Sequence, residues 1–434
     1  MAKKRRPRSD SRKAAFTHMT ARNRVAAASL VLVSVVAAAP QAACAASGDL
    51  DPSFGSGGKL VTSIGRSSQA NGVAVQPDGK IVAVVQARAA GRESFGLTRY
   101  DVDGSLDTTF GATGEICAFC RRDGGAFAIA IQPDSRIVAA GYVQERGRGV
   151  FAIARFNTDG TPDASFGSGG KVTVRIGSDA AARALSIAPD GKIVAAGVAH
   201  VGPGEASLNL VFAVTQFNTG GTLDASFGNH GMVTAPRRWY AVAMGTQVDG
   251  KIVGLAVARD GTNVFGLVRF NTDGTLDRSF GSGGKVETRI SPGGPAFATS
   301  LVIQPDGKIV AAGNGGNGVA LVRYNADGTL DRSFGTSGIV TGLPAEGFAN
   351  AVALQADGKI VIAGGESYDR GFLVARYETD GTLDSSFGIG GKVVTLIGRG
   401  AMAAAVVIQS DGKLVVAGAC FKHGSWLVAL ARYL

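Results

Sequence analysis

At 434 residues, with 64 glycines, 18% charged and 45% apolar residues, the chain is too apolar for intrinsic disorder and too rich in glycine for a helical protein. Single cores stop growing at about 250–300 residues, so a chain of this length is either several domains or an array of repeats. The net charge of +10 suggests nucleic acid until it is located: residues 1–45 hold nine of the 44 Lys and Arg and one acid, leaving 35 bases against 33 acids, so no nucleic-acid partner is expected.

Residues 3–24 are basic, 25–39 form a run of small and apolar residues broken only by Ser29 and Ser34, and Pro40 ends it. This is the pattern of a secretory signal peptide over 1–45, with Ala43-Cys44-Ala45 as the cleavage site and a mature domain over 46–434. The apolar run is shorter than the roughly 20 residues a membrane span needs, and no later stretch is read as a span. Met19 is an alternative start, because 19–24 alone would serve as the basic region. Acylation of Cys44 would want an aliphatic residue where Gln41 stands, and Pro7-Arg8 do not continue a twin-arginine signal from Arg5-Arg6. The expected location is therefore the periplasm, the cell surface or the medium.

The mature sequence opens with Leu-Asp-Pro-Ser-Phe-Gly at 50–55, and close copies follow at 106–111, 162–167, 223–228, 276–281, 330–335 and 383–388. Their phenylalanines, Phe54, Phe110, Phe166, Phe227, Phe280, Phe334 and Phe387, lie 56, 56, 61, 53, 54 and 53 residues apart. A spacing this regular marks one supersecondary unit repeated.

One unit reads as four strands. Residues 347–355 are largely apolar, and Asp357-Gly358 then turns the chain into 360–364, Asp-Gly between apolar runs being a strong hairpin signal. A third strand follows at 372–377, a connection holding the motif at 378–391, and a fourth strand at 392–397. The hairpin recurs at Asp78, Asp134, Asp190, Asp249, Asp306, Asp357 and Asp411. The third strand ends seven times in a base or amide followed by an aromatic residue: Arg99-Tyr100, Arg155-Phe156, Gln216-Phe217, Arg269-Phe270, Arg323-Tyr324, Arg376-Tyr377 and Arg432-Tyr433. The mature chain begins with a motif and a fourth strand, 58–64, and finishes just after a third strand, so its two ends complete one unit. The expectation is an all-β, seven-bladed β-propeller of four-stranded antiparallel blades, closed by the N-terminal strand against 421–433.

The Arg-Tyr of the third strand, the Asp-Gly-x-Leu-Asp-x-Ser-Phe-Gly that follows, and the Gln-Pro-Asp-Gly-Lys-Ile-Val hairpin at 304–310 together resemble the delta-60 repeat proteins, a bacterial family. The resemblance covers 49–434 and implies a β-propeller and export, with no implied activity. Pro162 for Leu, Ser135-Arg136 for Gly-Lys and Gln216 for Arg depart from the pattern within single blades.

Closely spaced loop aspartates suggest calcium, since hard cations take clustered oxygens. The candidates are Asp103, Asp107, Asp159, Asp163, Asp273, Asp277, Asp327, Asp331, Asp380 and Asp384. The loops lack the ligand spacing and terminal Glu of an EF-hand, and the same residues serve turns or pair with the third-strand Arg, which is the preferred reading. No cofactor is expected otherwise. The repeated Phe is read as an anchor between blades.

Two of the three connections within a unit are nearly invariant and share one face, while the second-to-third connections and the blade crossings vary and share the other. Binding residues commonly sit on variable loops of a rigid scaffold. On that face or the channel mouth the candidates are His200, Arg237, Arg238, Trp239, Tyr240, Tyr368, His423 and Trp426, aromatic residues there suiting protein or carbohydrate, although packing is the commoner role of such residues. His200, His230 and His423 have no metal-ligand spacing. Cys117-Ala118-Phe119-Cys120 has metal or redox spacing, but residues three apart on a strand face opposite sides, so a local disulfide or inert thiols are preferred to zinc. With no serine elbow, phosphate loop or His-Glu-x-x-His, the leading expectation is a monomeric, exported, non-catalytic module that binds an extracytoplasmic protein or carbohydrate. The alternatives are a lyase or hydrolase with its site at the channel mouth, and a calcium-stabilised structural protein.

Overall fold

A computed structural model describes residues 48–89, 91–202, 210–235, 239–258, 264–290, 296–342, 344, 347–366 and 371–434. The leader and the cleavage site lie outside the described residues, as do Arg237, Arg238, Tyr368 and the side chain of Tyr240.

The described strands form seven four-stranded antiparallel sheets. Six are continuous in sequence, at 67–117, 124–174, 179–234, 239–289, 296–341 and 347–395, and are numbered here blades one to six. Blade six has the order expected from its sequence: Gly347–Leu354, Ile360–Glu366, Phe372–Tyr377 and Lys392–Thr395. In each hairpin the aspartate accepts the N–H of the residue two ahead, as Asp78 does from Lys80 (3.1 Å), and Gly79 takes the left-handed conformation the turn requires (φ 85°). Blade two makes the same turn without glycine, with Ser135 at φ 68°.

Blade seven is built from both ends of the chain. Lys59–Thr62 pairs antiparallel with Ser425–Tyr433, placing Lys59 opposite Ala431 and Thr62 opposite Val428. Leu50 bridges Tyr433, the N–H of Gly48 donates to the carbonyl of Leu434, and that of Asp51 to the carbonyl of Arg432. The junction pairs the edge of Ser425–Tyr433 that would otherwise stand open at the end of the chain.

The core is divided into seven principal clusters of buried side chains, each lying in the seam between two consecutive blades. The seam of blades seven and one, with Phe54, Ala70 and Val73 against Ala405, Val415 and Leu430, is of the same kind as the others, as a closed ring requires. The first strand of each blade touches the first strand of the next, so these strands surround the axis. Strands converge there, and small residues, alanine above all, recur in them, which suits close approach. Among the described residues no helix is long and apolar enough to cross a membrane.

Candidate functional site

The repeated polar residues meet each other on the invariant face. In blade five, Arg323 Nε donates to Asp331 Oδ2 (2.7 Å), and Lys308 of the hairpin reaches the same oxygen (3.1 Å). Asp331 Oδ1 accepts both the N–H (3.1 Å) and the hydroxyl (2.7 Å) of Ser333. The guanidinium of Arg323 lies 4.5 Å from the centre of the Phe334 ring and donates through Nη1 to the carbonyl of Thr379 in blade six. The N–H of Gly335 donates across the same seam to the backbone carbonyl of Asp380 (2.7 Å). A Cβ on Gly381 (φ 90°) would stand 2.8 Å from the Phe334 ring, so a glycine is needed there for close approach as well as for its backbone.

The motif is thus a staple to the next blade, its glycine N–H crossing the seam also at Gly55, Gly111, Gly167, Gly228 and Gly281. Arg99–Asp107 (2.7 Å), Arg155–Asp163 (2.7 Å), Arg269–Asp277 (2.8 Å) and Arg376–Asp384 (2.6 Å) repeat the pair, and Arg432–Asp51 (2.8 Å) closes the ring across 381 residues. In blade two Arg136 takes the lysine's place beside Asp163 (3.3 Å), and Pro162 keeps the bridge to Phe156. In blade three Gln216 removes the arginine, leaving Lys192 as the cation beside Asp224 (3.0 Å). Burial pushes Asp51 up, but hydrogen bonds from Ser53 and Lys413 and the charge of Arg432 outweigh it and hold the carboxyl well below its ordinary range. Asp331 and Asp277 are lowered by the same balance.

The calcium candidates divide between two duties. Asp107, Asp163, Asp277, Asp331 and Asp384 hold the staples. Asp103, Asp159, Asp273, Asp327 and Asp380 each accept the N–H and hydroxyl of the Ser or Thr two residues ahead, at 2.6–2.9 Å. No group of three or more His, Cys, Asp or Glu converges on one point among the described residues.

The opposite face is irregular. Every first strand carries a bulge between two small residues, at Asn71, Phe127, Arg183, Val242, Thr299, Asn350 and Ala404. Three of these side chains tie the blades together at the axis: Asn71 donates to the carbonyl of Ala126 (2.8 Å), Thr299 to Ala349 (2.8 Å) and Asn350 to Ala403 (2.7 Å). Phe127 and Arg183 do something else. The Arg183 guanidinium rests 4.5 Å above the Phe127 ring, whose other neighbour is Tyr142, stacked at 5.8 Å and 14°.

Tyr142 donates its hydroxyl to Glu93 Oε2 (3.0 Å), which also accepts from Gln86 (2.6 Å). Gln86 meets Gln69 (3.5 Å), which bonds Asn71 (3.1 Å). A chain of polar and aromatic contacts therefore runs from blade one to Arg183 in blade three, with Gln69, Asn71, Phe127 and Arg183 on the first strands that surround the axis. Burial first, then the charge and hydrogen bonding of Glu93, push the Tyr142 hydroxyl far above its ordinary pKa, so it remains a donor. Glu93 accepts and Arg183 carries a fixed positive charge, an arrangement suited to binding.

Of the residues singled out on this face, His200 ends Ile193–His200 in blade three and is half-buried. Trp239 is buried in the seam of blades three and four, under Lys285 at 5.8 Å, so it packs rather than presenting its ring. His423 is exposed at the tip of the last hairpin of blade seven (φ 51°). Beside it Trp426 is half-buried against Phe421, edge to face at 5.6 Å. The structure brings His423 and Trp426 together on one hairpin and keeps His200 and Trp239 apart from them. Glu93, Gln86, Phe127, Tyr142 and Arg183 escaped the sequence reading. The available signal was a position flanked by small residues in every unit whose own identity changes, as in Ala126-Phe127-Ala128 and Ala182-Arg183-Ala184.

Cys117 ends the strand Glu115–Cys117, and Cys120 lies in the turn beyond, its thiol donating to the Cys117 carbonyl (2.7 Å). The opposition expected of two strand residues therefore does not arise. Both thiols are free, and burial first, then the Cys120 thiol, push Cys117 up to about 12.

Among solved structures, the chain is similar to a protein of unknown function from Dyadobacter fermentans (14% identity, 86% of this chain and 97% of that one, TM-score 0.45). It is also similar to the extracellular domain of a putative one component system from B. thetaiotaomicron (13% identity, 86% and 39%, TM-score 0.42). A third likeness is to Sqt1 from Chaetomium thermophilum (12% identity, 83% and 83%, TM-score 0.40). No curated protein matches the chain. The model of a domain of unknown function described as a β-propeller, DUF5122, matches residues 76–110, 132–166, 188–227, 247–280, 304–334 and 355–387. Each matched segment runs from a hairpin through a third strand to the motif Phe, and the seventh such stretch is divided between the chain ends. The chain is thus a seven-bladed β-propeller, six segments of which match the model of that β-propeller domain of unknown function.

Proposed function

We propose that this protein is an exported, non-catalytic propeller of the delta-60 kind, whose irregular face binds an extracytoplasmic protein or carbohydrate. The observation that carries the reading is the division of polar residues between the two faces. The recurring Arg, Lys, Asp and Ser are engaged in staples, whereas the chain from Gln69 to Arg183 occurs in three blades and touches the axis. The staple groups recur from blade to blade, with Gln216 the one substitution of the arginine, whereas a group that recognises a ligand need not recur. Export rests on the basic and apolar leader at 1–45 and the small residues before Ala46.

The test is a binding screen of the purified chain against secreted and surface proteins and against glycans, repeated with Glu93→Ala and Arg183→Ala. A partner whose affinity falls about tenfold or more in either variant, at unchanged melting temperature, is the expected result. Turnover of a polysaccharide or peptide that is abolished by Glu93→Gln would replace this reading with an enzyme.

A further inference from the structure

The overall balance of charge conceals a local excess on the irregular face of blades one and two. Arg66, Arg88, Arg92, Arg121, Arg122 and Arg175 are all exposed there, on crossings and hairpin ends that the antiparallel strands bring to one side. They form a connected series. The N–H of Arg66 donates to the carbonyl of Arg88 (2.8 Å), Arg92 reaches the carbonyl of Arg121 (3.4 Å), and Glu145 joins Arg122 (2.5 Å) to Arg175 (3.9 Å). The neighbouring hairpin adds exposed Arg146 and Arg148 at its tip. The corresponding hairpin of blade five, Asn314-Gly315-Gly316-Asn317-Gly318, has no charge.

Building on the binding reading above, we infer that this face takes an anionic polysaccharide laid across blades one to three, with Arg183 at its inner end. All these cations are arginines, whose planar fork matches a carboxylate or sulfate in two parallel hydrogen bonds, where a lysine offers a point charge. Glu93, Asp123, Glu145 and Asp179 interrupt the series, so the positive charge comes in separated islands. Such a surface suits a polymer with one anion per sugar or two. It suits a nucleic-acid duplex less well, with a phosphate charge every 1.7 Å or so of its axis. Among the described residues of blades one to three, the aromatic side chains beside this series, Phe127 and Tyr142, are buried and offer unpaired bases no platform and a bilayer no wedge.

The probes are polygalacturonate for carboxylate, dextran sulfate for sulfate, neutral dextran, a DNA duplex and phosphatidylglycerol vesicles, each titrated into the full chain at two salt concentrations. At least one anionic polysaccharide is expected to bind, more weakly at high salt, and neutral dextran is not. Replacing Arg88, Arg92 and Arg121 together by Gln should weaken that binding about tenfold or more. Arg278→Gln with Arg332→Gln, exposed on the opposite face, should leave it unchanged. Binding that is equal in both variants, or that favours duplex or vesicles over both polysaccharides, overturns the proposal. If no polyanion binds but the wider screen yields another partner lost in Arg183→Ala, this inference fails and the binding reading stands; if nothing binds, both fail.

Discussion

Asp331 shows how much depends on one recurring carboxylate. It is buried and accepts from a buried arginine, a half-buried lysine and a serine, so its oxygens are filled by donors and cations. Asp331→Asn would keep the shape and remove the charge, leaving Arg323 a buried cation without its partner. Such losses cost about 3–5 kcal/mol, which urea denaturation would read as a lower midpoint at unchanged slope. The pH dependence has a definite sign. A carboxyl lowered by folding contributes stability that is fully present above its unfolded value, near 3.9, and is lost as pH falls through the folded value. The deficit of Asp331→Asn should therefore hold from neutral pH down to about 4 and shrink below it. A deficit that disappeared between pH 7 and 5 would refute the assignment.

At the scale of the element, blade three serves as a natural variant. Gln216 stands where the other blades have arginine, and Asp224 keeps its lysine and Ser226 but has no guanidinium over Phe227. The backbone link to blade four survives, with the N–H of Gly228 donating to the carbonyl of Asp273 (2.7 Å), and the blade keeps its four strands. Gln216→Arg would restore the ion pair and the ring contact, and is expected to stabilise the protein by about 1–2 kcal/mol, seen as a melting temperature raised by a few degrees. A lower melting temperature would show that blade three has repacked around glutamine.

For the whole molecule, the decisive feature is closure. Lys59–Thr62 completes blade seven, Phe54 fills the seam with blade one, and Asp51 holds Arg432. Deleting 46–64 would expose the edge of Ser425–Tyr433, empty part of one seam and leave Arg432 unpaired. A loss on the order of 5 kcal/mol or more is expected, with a melting transition that is lower and broader than the parent's. A deletion variant that melts like the parent would mean that blade seven is stable without its outer strand.

The period of the phenylalanines, the Asp-Gly hairpins and the unpaired third strand at Leu434 were enough to derive seven blades and their closure. These are local signals: turn chemistry and strand length act over a few residues, and counting them needs no knowledge of how units pack. The third-strand arginine and motif aspartate were also visible as a pair, being eight residues apart on one hairpin, as at Arg323 and Asp331. What the order of residues did not disclose is the axis. Tyr142 and Glu93 are 49 residues apart, and Arg183 and Phe127 belong to different blades. Their meeting depends on the rotation between neighbouring blades, which leaves no mark in the sequence of a unit, and on a bulge whose mark, a changing residue between two small ones, emerges only when the units are compared. Trp239 is the converse case. Its place on the variable face made it a binding candidate with packing as the commoner role, and the seam between blades three and four decided for packing.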